Sequence, residues 1–171
     1  MRSKRVVTKI GDLFTVKIDA KRKKYFQLIA FDLTQLNSDV IRVFKKEYPI
    51  YATPDFDEVV EGEVEFYAHC VTKGGVKLGY WEKVGKANEL GKLDHILFRD
   101  TNDYGRAPGE EPVRVSNRWY VWHIGDDDFN RVGKLEGENR KAEIGLVINP
   151  QSIVHRMRTG EYDFPFYPGF E

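Results

Sequence analysis

The sequence predicts a mainly β, α+β domain: a twisted antiparallel sheet or partly open barrel with a C-terminal helix and one or two short helices. Three observations predict it. Short runs of β-branched and aromatic residues recur between clusters of turn residues, the pattern of strands. Two such runs, residues 78–85 and 118–125, hold all three tryptophans. Only one stretch, opening at Asn149-Pro150, carries both the start and the stop signals of a longer helix.

Taken in order, residues 13–18 read as the first strand, with Phe14, Val16 and Ile18 on one face and Gly11 permitting a tight entry. Residues 19–24 form a polar, basic connector, and residues 25–31 return as the second strand. Asn37-Ser38-Asp39 is turn chemistry. Residues 40–44 follow as a strand on their β-branched content, although a helix from Ser38 would also align Ile41, Phe44 and Tyr48. Pro49 and Pro54 bracket a loop, and residues 56–61 suit one helical turn closed by Gly62. Residues 63–72 pass from alternating to wholly apolar, as a strand entering a sheet does. Lys73-Gly74-Gly75 then reads as a hairpin turn, glycine accepting the positive φ such turns demand, with residues 76–84 as the returning strand.

Residues 88–94 read as loop and 96–98 as a short strand. Residues 100–112, with Gly105, Pro108, Gly109 and Pro112, form a long polar excursion of the kind that often carries binding function. Residues 119–124 make the second aromatic strand, Asp126-Asp127-Asp128 a turn, residues 129–135 a further strand and 144–148 a short buried one. Asn149 caps a helix over 150–159, Pro150 fits its first turn, Ile153, Val154 and Met157 form its apolar stripe, and Gly160 closes it. The tail beyond it, with Tyr162, Phe164, Phe166, Tyr167 and Phe170, is too aromatic to remain in water and is expected to dock on the protein's own sheet.

Size and composition fit one domain over 1–171: 41% of residues are hydrophobic and 32% charged. Lysine plus arginine equals aspartate plus glutamate at 27 each, a balance that argues against a dedicated nucleic-acid or membrane-surface binder. Cys70 is the only cysteine, so no internal disulfide forms. The basic start (Arg2, Lys4, Arg5) is followed by only Val6 and Val7, short of a signal-peptide core, and no later run reaches membrane-spanning length; a cytoplasmic location is expected.

No residue set spells out a reaction. His69, His95, His123 and His155 show no metal-ligand spacing, and no glycine pattern of a phosphate loop occurs, so neither metal nor cofactor is expected. Cys70 adjoins His69, but neighbours on a strand point to opposite faces and cannot pair. Asp126, Asp127 and Asp128 lack the spacing of a calcium loop. Three functional readings follow. The first is a protein-binding module using exposed aromatics and acidic turns: Tyr80, Trp81, Tyr104, Asp126, Asp127 and Asp128. The second is a small-barrel nucleic-acid binder using the basic and aromatic segment Lys21-Arg22-Lys23-Lys24-Tyr25-Phe26. The third is an enzyme whose site assembles from scattered residues such as His123, Asp126 and Arg131.

The run Lys9-Ile10-Gly11-Asp12-Leu13-Phe14-Thr15-Val16 resembles the Gly-Asp-x-Phe opening of bacterial immunity proteins from polymorphic toxin systems, most of all the family called immunity protein 26. Val40-Ile41-Arg42-Val43-Phe44 is similar to a second strand of that group, and Gly79-Tyr80-Trp81-Glu82-Lys83-Val84-Gly85 to its Trp-x-x-hydrophobic-Gly strand. The similarity spans residues 1–92, while 93–171 resembles a β extension of related bacterial proteins. The resemblance implies a β-rich cytoplasmic protein that binds a cognate toxin protein and blocks it. It singles out no contact residues.

Overall fold

The computed structural model describes residues 5–103 and 107–171. Two open β-sheets are packed together, and the expected mainly β architecture with a C-terminal helix holds. The sheets are mixed rather than purely antiparallel, and neither closes into a barrel.

The first sheet is built from β1 (Asp12–Lys17), β2 (Arg22–Asp32), β3 (Ser38–Phe44), β4 (Tyr48–Pro49), β5 (Val64–Cys70), β6 (Glu82–Lys86) and β11 (Val147–Ile148), in the spatial order β11-β5-β3-β2-β1-β6 with β4 extending β2. The β1–β2 connector is shorter than the sequence suggests. The Asp19 carboxylate accepts from the amides of Lys21 and Arg22, both at 2.8 Å, and strand pairing resumes at once. Ser38–Phe44 is a strand, not a helix, because both its faces are buried in the centre of the sheet.

One face of this sheet carries Phe14, Val16, Phe26, Leu28, Ile41, Val43, Phe66, Ala68 and Cys70. Two helices cover it, α2 (Thr72–Leu78) and α3 (Pro150–Thr159). The cap of α3 is as expected: Asn149 accepts from the Ser152 amide, and Gly160 turns left-handed at φ 89°. Its buried Ile153, Val154 and Met157 each contribute about 1.5–3 kcal/mol of apolar transfer. The opposite face is shared. At one end Leu13, Tyr25 and Phe44 pack on Val59 and Val60 of α1 (Phe56–Val60). At the other, Ile29, Ala30 and Val40 pack on Phe98 and Trp122 of the second sheet.

That second sheet orders as β10-β7-β8-β9: β10 (Glu143–Ile144), β7 (Leu97–Thr101), β8 (Trp119–His123) and β9 (Asn130–Gly133). Its outer face holds Trp119, Val121, Leu135 and Ala142, and the tail residues Tyr167 and Phe170 close over them. These tail residues therefore dock on their own chain.

Two expectations are corrected. The hairpin at Lys73-Gly74-Gly75 does not exist; those residues lie inside α2, and of the expected return strand 76–84 only residues 82–84 are extended, within β6, which pairs with β1 rather than β5. Gly75 serves a close approach instead of a turn: a Cβ there would fall 2.0 Å from Cε2 of Trp81. The left-handed residue is Gly79, at φ 78°, which ends the helix. The first amide of α2 is capped across the sheet by Asp39, whose carboxylate accepts from the Thr72 amide at 2.9 Å and its hydroxyl at 2.5 Å. Secondly, residues 144–148 form no single strand. The chain leaves β10 in one sheet and enters β11 in the other, each pairing in parallel with its neighbour. The switch occurs at Gly145, where a Cβ would lie 2.0 Å from the Trp122 ring.

A candidate docking cleft between the sheets

A cleft of about 670 Å³ opens where β5 faces the second sheet. Its lining between the sheets is apolar: Ile96 and Trp122 are buried, and the half-buried Tyr67 lies with them. Its mouth is polar, formed by His95, His123, Asp126 and Asn130 on one side and by Glu138, Asn139 and Lys141 of a short 3-10 turn on the other.

Four charged residues lining the cleft have ion-pair partners within the chain. Glu65 pairs with Lys24 at 2.9 Å, Glu138 with Lys141 at 3.0 Å and Glu143 with Arg156 at 2.8 Å. His123 Nδ1 donates to the Ile96 carbonyl at 2.9 Å, which fixes the ring. The Asp126 carboxylate accepts from the His123 backbone amide at 2.8 Å and not from its imidazole. Thr34 and Gln35 side chains donate to the Asp126 carbonyl, tying the turn to the end of β2. His123 and Asp126 thus share the cleft without forming an acid–base pair, and Arg131 is exposed on the edge strand β9.

Of the residues expected to meet a partner, Asp126, Asp127 and Asp128 form the turn after β8, with Asp127 and Asp128 exposed. The Asp128 carboxylate accepts from the Phe129 amide. Tyr80 is 36% exposed, but Trp81 is 2% exposed and cannot reach a partner. Trp81 is a core residue: its indole stands edge-on to Phe26 at 5.0 Å and donates to the Thr72 carbonyl at 2.8 Å. Tyr80 lines a different groove, of about 470 Å³, with Lys17, His155, Arg158 and Asp163. The expected residues therefore divide between two places. Tyr104 lies outside the described residues.

The basic segment at 21–26 is largely consumed by the fold. Lys24 is buried, its ammonium on Glu65 and the Met157 carbonyl; Lys23 donates to the Ala52 carbonyl, and Tyr25 and Phe26 are core. Cys70 is fully buried, and burial pushes its thiol far above the usual range. It points to the helix-covered face, while His69 points to the other, as strand alternation requires. Among the described residues no group of three or more His, Cys, Asp or Glu is placed to hold a metal ion, and no helix is long and apolar enough to cross a membrane.

The cleft residues missed by sequence reasoning, Tyr67, His95 and Glu143, come from three separate segments. Tyr67 lay within reach of strand alternation, since it shares a face with Glu65 and His69 opposite Phe66 and Ala68. No local signal marked the other two. Comparison with known proteins returns no match to a family model, a curated protein or a solved structure.

Proposed function

We propose that this chain is a non-enzymatic, cytoplasmic protein-binding module that neutralises a cognate bacterial toxin by covering part of its surface. The observation that supports this reading is the state of the cleft. It combines an apolar lining with a rim on which Glu65, Glu138, Lys141 and Glu143 already have ion-pair partners within the chain. Such a surface accepts an inserted apolar or aromatic side chain while most of its rim charges keep their partners, which is how anchors at protein interfaces gain their affinity. The exposed acidic turn at Asp127 and Asp128 stands beside the mouth and would steer a basic partner surface towards it. The order of the Gly-Asp-x-Phe and Trp-x-x-Val-Gly motifs along residues 9–85 supports the same reading.

Co-expression with the product of an adjacent toxin gene tests it. The two chains co-elute as one complex and growth is restored, and Asn130→Arg, which places a bulky charge at the cleft mouth, weakens both. Equal killing by every neighbouring candidate with and without this chain removes the proposal.

A further inference from the structure

A second depression, of about 710 Å³, lies between β10, the end of α3 and the aromatic tail. Four cations line it, Arg99, Arg140, Lys141 and Arg156, against two carboxylates, Glu143 and Glu161. Two of those cations have counter-ions: Arg156 is paired with Glu143 and Lys141 with Glu138. Arg140 donates to a main-chain oxygen of Glu171 and lies over the Phe170 ring at 5.1 Å.

Arg99 is the exception. Its guanidinium sits between the rings of Trp119, at 5.5 Å, and Phe170, at 5.0 Å. It donates once, to the Ala142 carbonyl, and its Nε is buried with no hydrogen-bond partner among the described residues. The two carboxylates nearest in the fold are occupied elsewhere. Glu143 holds Arg156, and the neighbouring Asp100 accepts from the Tyr120 and Tyr167 hydroxyls and from the Thr101 amide. Among the described residues no carboxylate forms an ion pair with Arg99. A half-buried guanidinium without a counter-ion is costly, and the cost is relieved when an anion meets its open edge.

We propose that this groove is an oxyanion site that takes a phosphate group on Arg99, with Arg140 closing over it from the rim. Phosphate is favoured over a monovalent inorganic anion because its several oxygens can engage Arg99 and Arg140 together. The aromatic edges of Tyr162, Phe164 and Tyr167 along the same groove leave room for an organic moiety attached to the phosphate. The groove borders the cleft between the sheets and shares Lys141 and Glu143 with it, but Arg99 and Arg140 do not line that cleft, so the proposal stands or falls independently of the toxin-binding reading.

The full chain is titrated with inorganic phosphate, AMP and adenosine, each against potassium chloride at matched ionic strength, by calorimetry and by thermal midpoint. Phosphate and AMP bind and raise the midpoint, while adenosine and chloride do not. Tighter binding of AMP assigns the site to a phosphate ester, and equal binding assigns it to the free ion. Arg140→Ala, an exposed substitution that leaves the circular dichroism unchanged, weakens binding about tenfold, and Arg99→Met abolishes it. The proposal is overturned if phosphate does no more than matched chloride, or if Arg140→Ala binds phosphate as the parent chain does. The second criterion holds even if Arg99→Met fails to fold.

Discussion

The Asp32 carboxylate and the His69 imidazole meet at 2.9 Å with neither side chain reached by solvent. Asp32 ends β2 in the first sheet, and its oxygens also accept from Trp122 Nε1 and the Gly125 amide, both at 3.3 Å, in the second. One buried carboxylate thus joins the two sheets, and His69 orients it.

Stability should therefore fall on mild acidification. Burial lowers the His69 pKa below its ordinary 6.5, against the opposing pull of Asp32. A base with a depressed folded pKa stabilises the fold fully above the unfolded value of about 6.5 and progressively less as pH falls towards the folded one. Protonation would also place a second N–H at His69 Nδ1, which has no partner among the described residues. Asp100 acts in the other sense: burial raises its pKa, so its protonation favours the fold. His69→Gln isolates the histidine. Urea unfolding at pH 7.5 should show a loss of about 1–3 kcal/mol from the disturbed buried pair, and the variant's stability should fall less than the parent's between pH 6.5 and 5.

Gly74 and Gly75 are adjacent in α2 yet should respond to alanine with opposite signs. A Cβ at Gly74 meets only Val71, at 3.6 Å, so Gly74→Ala gains helix propensity and stabilises by roughly 0.5–1 kcal/mol. A Cβ at Gly75 falls 2.0 Å from the Trp81 indole, which its bond to the Thr72 carbonyl restrains. Gly75→Ala should cost about 1–3 kcal/mol through overpacking. Thermal unfolding of the two variants decides it; a loss for both would point to a turn that needs glycine at each position.

That pair also shows what local sequence could reveal. The strands of the first sheet were legible wherever alternation or β-branching met a recognisable turn, as at Phe14, Val16 and Val40 to Phe44. The cap at Asn149 was legible because capping is a relation among neighbours. Gly74-Gly75 misled because glycine serves both positive φ and close approach, and the ring that requires the second use arrives six residues later. Residues 144–148 misled because one apolar run feeds two sheets, and only Trp122, distant in sequence, requires the glycine at the switch. The cleft and the Arg99 groove were illegible for the same reason. Their chemistry is made by what tertiary packing pairs and what it leaves unpaired.

Tyr80 and Trp81 should separate binding from folding. Trp81→Ala removes an indole packed on Phe26 and should cost about 3–5 kcal/mol, so any loss of partner binding in that variant follows from unfolding. Tyr80→Ala should leave the unfolding midpoint within about 0.5 kcal/mol of the parent, as surface substitutions do. If the partner's footprint reaches the groove lined by Lys17 and Arg158, Tyr80→Ala weakens the complex at unchanged stability, read by calorimetry. If the cleft between the sheets is the whole footprint, affinity does not move.

Arg42 lies at the centre of the first sheet as a cation held by neutral groups. Its Nε donates to Gln27 Oε1 at 2.9 Å across the β2–β3 pair, its fork reaches the Glu89 carbonyl at 2.9 Å, and the guanidinium packs over Phe44 at 5.0 Å. Gln27 in turn donates to the Ala87 and Glu89 carbonyls, both at 3.1 Å. Together they pin the segment after β6, where Gly91 leaves space for the arginine: a Cβ there would stand 2.4 Å from its Nη1. Arg42→Met would strand Gln27 Oε1 without its donor, and Arg42→Lys keeps the charge but loses the fork that reaches two acceptors at once. Each should cost about 1.5–3 kcal/mol, the range for hydrogen bonds from a charged donor. Limited proteolysis should then find new cleavage within residues 87–93 before global unfolding, because those carbonyl contacts hold the segment against the sheet. Parent-like protection of that segment in both variants would mean that Gln27 alone suffices to hold it.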